Sequence, residues 1–366
     1  MKHLAAFPMT LGEAEWLSLQ GLSAYVYHCL RERGLLSLLA NEVATFLQES
    51  YYREALIEAL QHQEATSSIL AALNQAGVET VLMKGAALAH TVYPSPRCRP
   101  KGDLDIWIRP EQYGEAIQAL KRLGYHPQDR QDRPPPLKLL YGGEQQLRSD
   151  APGTGLIELQ WPAIRGEWLR HAARIDHQGI WRRKLPIQID AQISHVMAPE
   201  DLLIHLCIHE AINHQFGSPW LRSLLDIHLL VRAHPLHWGQ LVERARVWQV
   251  ATAVWTMLLL AEELCGTSIP SAMLSSLAPA PIKQRLIQRL RLGEAMLLAQ
   301  SAGYSHRRFL ILVAMVDQEQ ALLRLIRSSL FPERPWIQAR YNVSDGPALW
   351  RAQFLHPLRL LRSTRA

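Results

Sequence analysis

Apolar residues recur at two different periods along this chain. Leu22, Val26 and Leu30, then Leu35, Leu38 and Leu39, return at helical spacing. Residues 54–60 and 67–73 read as one long amphipathic helix that stops at Gly77. Its expected job is to pack on whatever follows. From 78 the pattern changes. Residues 78–83 predict a strand, Lys84-Gly85-Ala86 a turn, and 86–92 a short helix stopped by Tyr93-Pro94-Ser95-Pro96. Polar and apolar residues then alternate. Asp103 and Asp105 face one way, while Leu104, Ile106 and Ile108 face the other. A helix over 111–123 would bury Tyr113, Ala116, Ala119, Leu120 and Leu123 and end at Gly124.

Alternation returns over 156–161. Ile157, Leu159 and Trp161 share one face, and Glu158 and Gln160 share the other. Between these strands, 126–140 is polar and proline-rich and predicts a surface loop. Gly142-Gly143 suits a hairpin turn, and 150–155 is a turn-rich lead-in. Helical spacing resumes near Pro199, over 202–216, 220–233, 242–263, 282–302 and 309–330, with Glu200 and Asp201 at the first helix's positive end. No period repeats as a solenoid requires.

The pattern predicts an α+β fold. Residues 1–75 form an N-terminal helical segment, 76–195 a core with a small mixed β-sheet, 196–331 a C-terminal helical bundle, and 332–366 a basic tail. At 48% hydrophobic residues, 366 residues can bury a sizeable core. The net charge of +6, mostly from arginine, fits a partner carrying phosphates. Cys29, Cys98, Cys207 and Cys265 lack paired spacing, so reduced thiols and a cytoplasmic location are expected. Neither a signal peptide nor a membrane-spanning run is expected. In the tail, Arg334, Arg340, Arg351, Arg359, Arg362 and Arg365 surround Trp336, Tyr341 and Trp350. A solvated or helix-packing tail is the more common meaning of such a run, and an anion-binding one the sharper.

Asp103 and Asp105 carry the chemistry. Two carboxylates on one strand face repel each other unless a cation lies between them. Oxygen-only ligands favour Mg²⁺ or Mn²⁺. Gly85 lets backbone approach a ligand, and a helix N-terminus favours anions. His205 and His209 are four residues apart, a zinc-ligand spacing. No glutamate directly follows His205, so histidines packed between helices are the better reading.

The segments MKGAALA and YPSPRCRPKGDLDIWI, with Lys84-Gly85, Tyr93-Pro94, Arg99 and Gly102-Asp103-Leu104-Asp105 in order, resemble the bacterial "uncharacterised nucleotidyltransferase" family of the DNA polymerase β-type superfamily. That resemblance implies a nucleotidyltransferase core and Mg²⁺-dependent transfer of a nucleoside monophosphate from an NTP to a hydroxyl acceptor, releasing pyrophosphate. It implies Asp103, Asp105 and Glu158 as catalytic metal ligands. Lys84, Gly85, Arg99 and Gly102 fall on the nucleotide side, and His209 and Asp226 on the acceptor side. The superfamily has glycine-serine where this chain has Gly85-Ala86. It has aspartate and histidine where this chain has Glu158 and Gln160. The acceptor class stays open among a small molecule, a peptide, a protein and RNA, as does the oligomeric state. Two rival readings are a catalytically weak nucleotide- or partner-binding module, and a metal-dependent hydrolase centred on the helical histidines.

Overall fold

Seven short strands make one mixed sheet: β1 (Val81–Leu82), β2 (Asp103–Trp107), β3 (Tyr125–Gln128), β4 (Glu144–Ser149), β5 (Leu156–Gln160), β6 (Leu185–Ile189) and β7 (Gln192–Val196). Their order is β3-β4-β5-β2-β1-β7-β6. β2 runs parallel to β5 and β1 to β7, while the other neighbours are antiparallel. The computed structural model describes residues 9–57, 63–128, 143–150, 155–216, 221–297 and 306–363. With helices before and after the sheet, the fold is α+β. Part of the expected 126–140 loop, Gly142, part of the 150–155 lead-in and the joint at 58–62 of the expected long helix lie outside the described residues.

Nineteen helices accompany the sheet among the described residues. Before it come α1 (Leu11–Leu19), α2 (Ser23–Glu32), α3 (Asn41–Ile57) and α4 (Glu64–Gln75). Within it lie α5 (Lys84–Thr91), α6 (Tyr113–Arg122), α7 (Glu167–Ala172) and α8 (His177–Arg183). After it follow α9 (Pro199–Ile208), α10 (Leu221–Ala233), α11 (Trp238–Val247), α12 (Ala251–Cys265), α13 (Ser271–Leu277), α14 (Pro281–Arg289), α15 (Leu292–Leu297), α16 (His306–Met315) and α17 (Glu319–Leu330). Helices α18 (Arg334–Tyr341) and α19 (Pro347–Ser363) complete the chain.

Strand alternation sorts the side chains into two cores. Leu104, Ile106, Ile108, Ile157 and Leu159 pack under Ile69, Leu70 and Leu73 of α4 and Ala116, Ala119 and Leu120 of α6. The opposite sheet face carries the polar members of β2 and β5. The second core is larger and joins distant parts of the chain. Ala14, Tyr27 and Leu47 belong to it together with Trp107, Leu203, Leu224 and Leu258. Gln20 Oε1 accepts from Leu221 N at 2.9 Å, a further tie between the two ends. The N-terminal helices therefore share a core with the C-terminal bundle as well as with the sheet.

Several expected elements differ. The first strand shrinks to two residues because α5 begins at Lys84, whose φ is +46°. The helix expected over 242–263 breaks at Gln249, with φ +61°, and that over 282–302 at Arg291, with φ +48°. The helix expected over 309–330 is divided before Asp317, whose carboxylate accepts from the Ala251 and Thr252 amides at 2.7 and 2.9 Å and so caps α12. The expected basic tail is a pair of helices around Ile337, Leu349 and Ala352, with Arg334 over Trp350 and Arg359 over Tyr341. Among the described residues, no helix is long and apolar enough to cross a membrane.

Candidate active site

The parallel register of β2 and β5 sets Asp105 opposite Glu158. Period-2 alternation puts Asp103 on the same face. One oxygen from each of Asp103, Asp105 and Glu158 lies within 4.8 Å of the others. Asp105 and Glu158 are buried, and Asp103 is half-buried at the open end. Among the described residues this is the one group of three or more acids, histidines or cysteines with such geometry.

Each buried acid is held by cations and amides. Lys84 Nζ donates to Asp105 Oδ1 at 2.6 Å and lies 4.0 Å from Glu158 Oε2. Gln160 Nε2 donates to the same Asp105 oxygen at 2.6 Å. Gln146 Nε2 donates to Glu158 Oε1 at 2.7 Å, and Arg165 Nη2 donates to Glu158 Oε2 at 3.3 Å. Arg165 also pairs with Glu144. Burial pushes the Asp105 carboxyl up to about 7, against the pull of Lys84. It raises Asp103 too, helped by the Glu158 charge. For Glu158, burial is outweighed by Arg165 and then Lys84, so its carboxyl falls below the usual value. Three carboxylates supply hard oxygen donors, and Gln160 Oε1 beside them is buried with no hydrogen-bond partner among the described residues. That donor set fits a divalent Mg²⁺-like cation.

Arg99 and Asp226 are brought together, which changes both expectations. Arg99 Nε and Nη2 each donate to an Asp226 oxygen at 2.8 Å, and Nη1 donates to Pro100 O at 2.6 Å. Tyr93 Oη donates to Asp226 Oδ1 at 2.7 Å. Thus Arg99, expected on the nucleotide side, has two of its guanidinium bonds taken up by Asp226. That aspartate is buried beneath the 97–101 loop rather than lining an acceptor surface. Arg222 Nη1 donates to Pro100 O at 2.9 Å, and burial together with Arg99 lowers its guanidinium to about 10. Gly85 explains the closeness of this loop, because a Cβ there would lie 3.3 Å from Arg99 Nη1. Gly102 is exposed, with nothing within 4 Å of where its Cβ would stand.

His209 and His214 sit on a π turn, His209–His214, that continues α9. Their Nε2 atoms are 2.9 Å apart, and the His205 ring stacks on His209 at 5.9 Å. Burial and then the Lys84 charge depress all three, His205 to about 3 and His214 to about 4. The histidines therefore lie within electrostatic reach of the acids. They do not form a three-ligand metal cluster of their own.

Sequence reasoning did not single out Gln146, Arg165 or Arg222, and it gave Tyr93 only as part of the family motif, without its Asp226 partner. Gln146 lies on a strand it did not find, and Arg165 in the turn after β5. For Gln160 a signal existed, since it shares the Glu158 face.

A model of the family described as "Uncharacterised nucleotidyltransferase" matches residues 14–266. Among solved structures, the chain is similar to the solution structure of the antibiotic-resistance factor ANT(2'')-Ia, at 14% identity and a TM-score of 0.34, over 50% of this chain and 89% of that one. It is also similar to an antigenic nucleotidyltransferase-like protein from Paracoccidioides brasiliensis, at 16% identity and a TM-score of 0.35, over 58% of this chain and 93% of that one. No curated protein matches the chain.

Proposed function

The chain belongs to the uncharacterised nucleotidyltransferase family, and we propose that it transfers a nucleoside monophosphate from an NTP to a hydroxyl acceptor, with release of pyrophosphate. The observation that carries this reading is the convergence of Asp103, Asp105 and Glu158 within 4.8 Å from two parallel strands. These three side chains would hold Mg²⁺ or Mn²⁺. The bound ion would supply charge neutralisation at the phosphate oxygens and make the acceptor hydroxyl more acidic.

The chain's own residues do the positioning. Lys84 presents its ammonium to the triphosphate, and Gly85 lets a phosphate approach the start of α5. Asp105 and Glu158 face the acceptor, and one of the two carboxylates accepts its hydroxyl proton. Asp226 acts through Arg99, fixing the 97–101 loop and with it Gly102 at the head of β2. His209 and His214, neutral beside Lys84, form the acceptor-side wall without adding charge. Such a reaction asks for alignment and electrostatic stabilisation more than covalent chemistry. The acceptor is a hydroxyl on a small molecule, peptide, protein or RNA.

The test is pyrophosphate release from each NTP in the presence of a cell extract. The wild type is expected to release it with one preferred NTP, and Asp103→Asn to lose at least about 100-fold in rate. Equal release by the two proteins would defeat the enzyme reading.

A further inference from the structure

Lys84 occupies an unusual place for a phosphate-binding lysine. Its residue is only 9% exposed, and its ammonium points at the acids rather than outward. The bond to Asp105 Oδ1 is 2.6 Å and the approach to Glu158 Oε2 is 4.0 Å. Its backbone is left-handed, with φ +46°, a conformation rare for a residue with a side chain. The turn into α5 thus delivers an ammonium to the carboxylates. An ammonium and a divalent ion need the same oxygen lone pairs. Asp105 Oδ1 already accepts from both Lys84 and Gln160, each at 2.6 Å.

We infer that Lys84 is the resident cation of this site, and that a nucleoside triphosphate draws it off the acids as the metal binds. The inference rests on the proposed nucleotidyl transfer and adds an order of binding to it. Without nucleotide, a divalent ion must displace a buried ammonium whose nearby alternative anion, Glu158, is itself one of the proposed metal ligands. With nucleotide, the triphosphate offers that anion. Lys84 swings from carboxylate to phosphate, and the seat at Asp105 opens. Metal and nucleotide then bind cooperatively, and an ion alone binds weakly. The device keeps the buried acids neutralised at every stage, which their burial requires.

Mn²⁺ binding to the full chain, read from the EPR signal of free Mn²⁺, tests this without any activity measurement. The proteins are wild type, Lys84→Met, Lys84→Gln and Asp105→Asn, each with and without a non-hydrolysable NTP. Without nucleotide, both Lys84 variants should bind Mn²⁺ at least about tenfold more tightly than wild type. The analogue should tighten Mn²⁺ binding to wild type and remove most of that difference. Thermal melting provides the second reading. Lys84→Met should melt below wild type in metal-free buffer and recover with Mn²⁺, whereas wild type should hardly respond to Mn²⁺ alone. A Lys84→Met protein that stays unfolded at saturating Mn²⁺ would overturn the inference. So would Lys84 variants that bind Mn²⁺ no more tightly than wild type while Asp105→Asn still abolishes binding, a result that leaves the acidic site intact. If Asp105→Asn binds Mn²⁺ like wild type, the site itself fails, and this inference with it.

Discussion

Asp105 Oδ1 takes hydrogen bonds from Lys84 and from Gln160, and the two donors differ in kind. Lys84 brings charge, while Gln160 brings only a dipole, inside a fully buried residue. Replacing Gln160 by Leu keeps the volume and removes the dipole. The buried carboxylate then loses one of two donors, at a cost of about 1–3 kcal/mol. Urea unfolding should show this as a lower midpoint with an unchanged slope. An unchanged midpoint would mean that Gln160 does not support Asp105. Strand alternation made Asp103 and Asp105 legible as one face and Glu158 as part of another, and the resemblance to the family joined the two. The partner of Lys84 was not legible. Nothing in Lys84-Gly85 says that a left-handed turn aims the ammonium at a residue twenty-one positions later. The Asp226 partner of Arg99 was not legible for the same reason, since it comes from a helix far along the chain.

At the scale of elements, the π turn after α9 holds a buried acid outside the acidic cluster. Glu210 is buried there, and its Oε2 accepts from Ser223 Oγ at 2.8 Å. Burial pushes its carboxyl up to about 7 from an ordinary 4.5. Between roughly pH 4.5 and 7 the folded chain keeps a proton that the unfolded chain releases, so this group makes stability fall as pH rises through that window. Glu210→Gln mimics the protonated form. Relative to wild type it should be roughly 3 kcal/mol more stable at pH 8 and little changed at pH 4.5. Melting curves of both proteins across that range check the sign. A gap that narrows with rising pH would contradict it. Helix periodicity was readable from 199 onward, but the breaks were not. Gln249 and Arg291 break their helices with positive φ, which residue type gives no reason to expect. Strands β3, β4, β6 and β7 were missed too: β3 and β6 are largely exposed at the two sheet edges, and β4 opens on the polar run Glu144-Gln145-Gln146, which shows no apolar alternation.

Across the whole molecule, two further joints tie the sheet side to the C-terminal bundle. One is the large core shared by α1 to α3, the sheet face at Trp107 and the bundle. The other is the buried Arg99–Asp226 pair, with Tyr93 on the same carboxylate. The Asp226 carboxylate more than offsets burial and keeps Arg99 firmly protonated. Asp226→Asn leaves that cation in place without its charge partner. A loss of about 3–5 kcal/mol is expected, visible as a lower melting temperature. The same melting temperature in both proteins would show that the joint does not hold the loop. A shared core of this kind joins residues about two hundred positions apart, so no local pattern announces it. The α+β class was legible, because the change from helical to alternating spacing and back is local.

Glu158 is the strictest judge of the central claim, because it comes from the second of the two strands whose carboxylates must converge. The decisive measurement is the rate at which the α-phosphate label of the preferred NTP passes to acceptor, for wild type and Glu158→Gln, both shown to be folded. The account predicts a loss of at least about 100-fold in the variant. A Glu158→Gln protein that transfers label at the wild-type rate would contradict it.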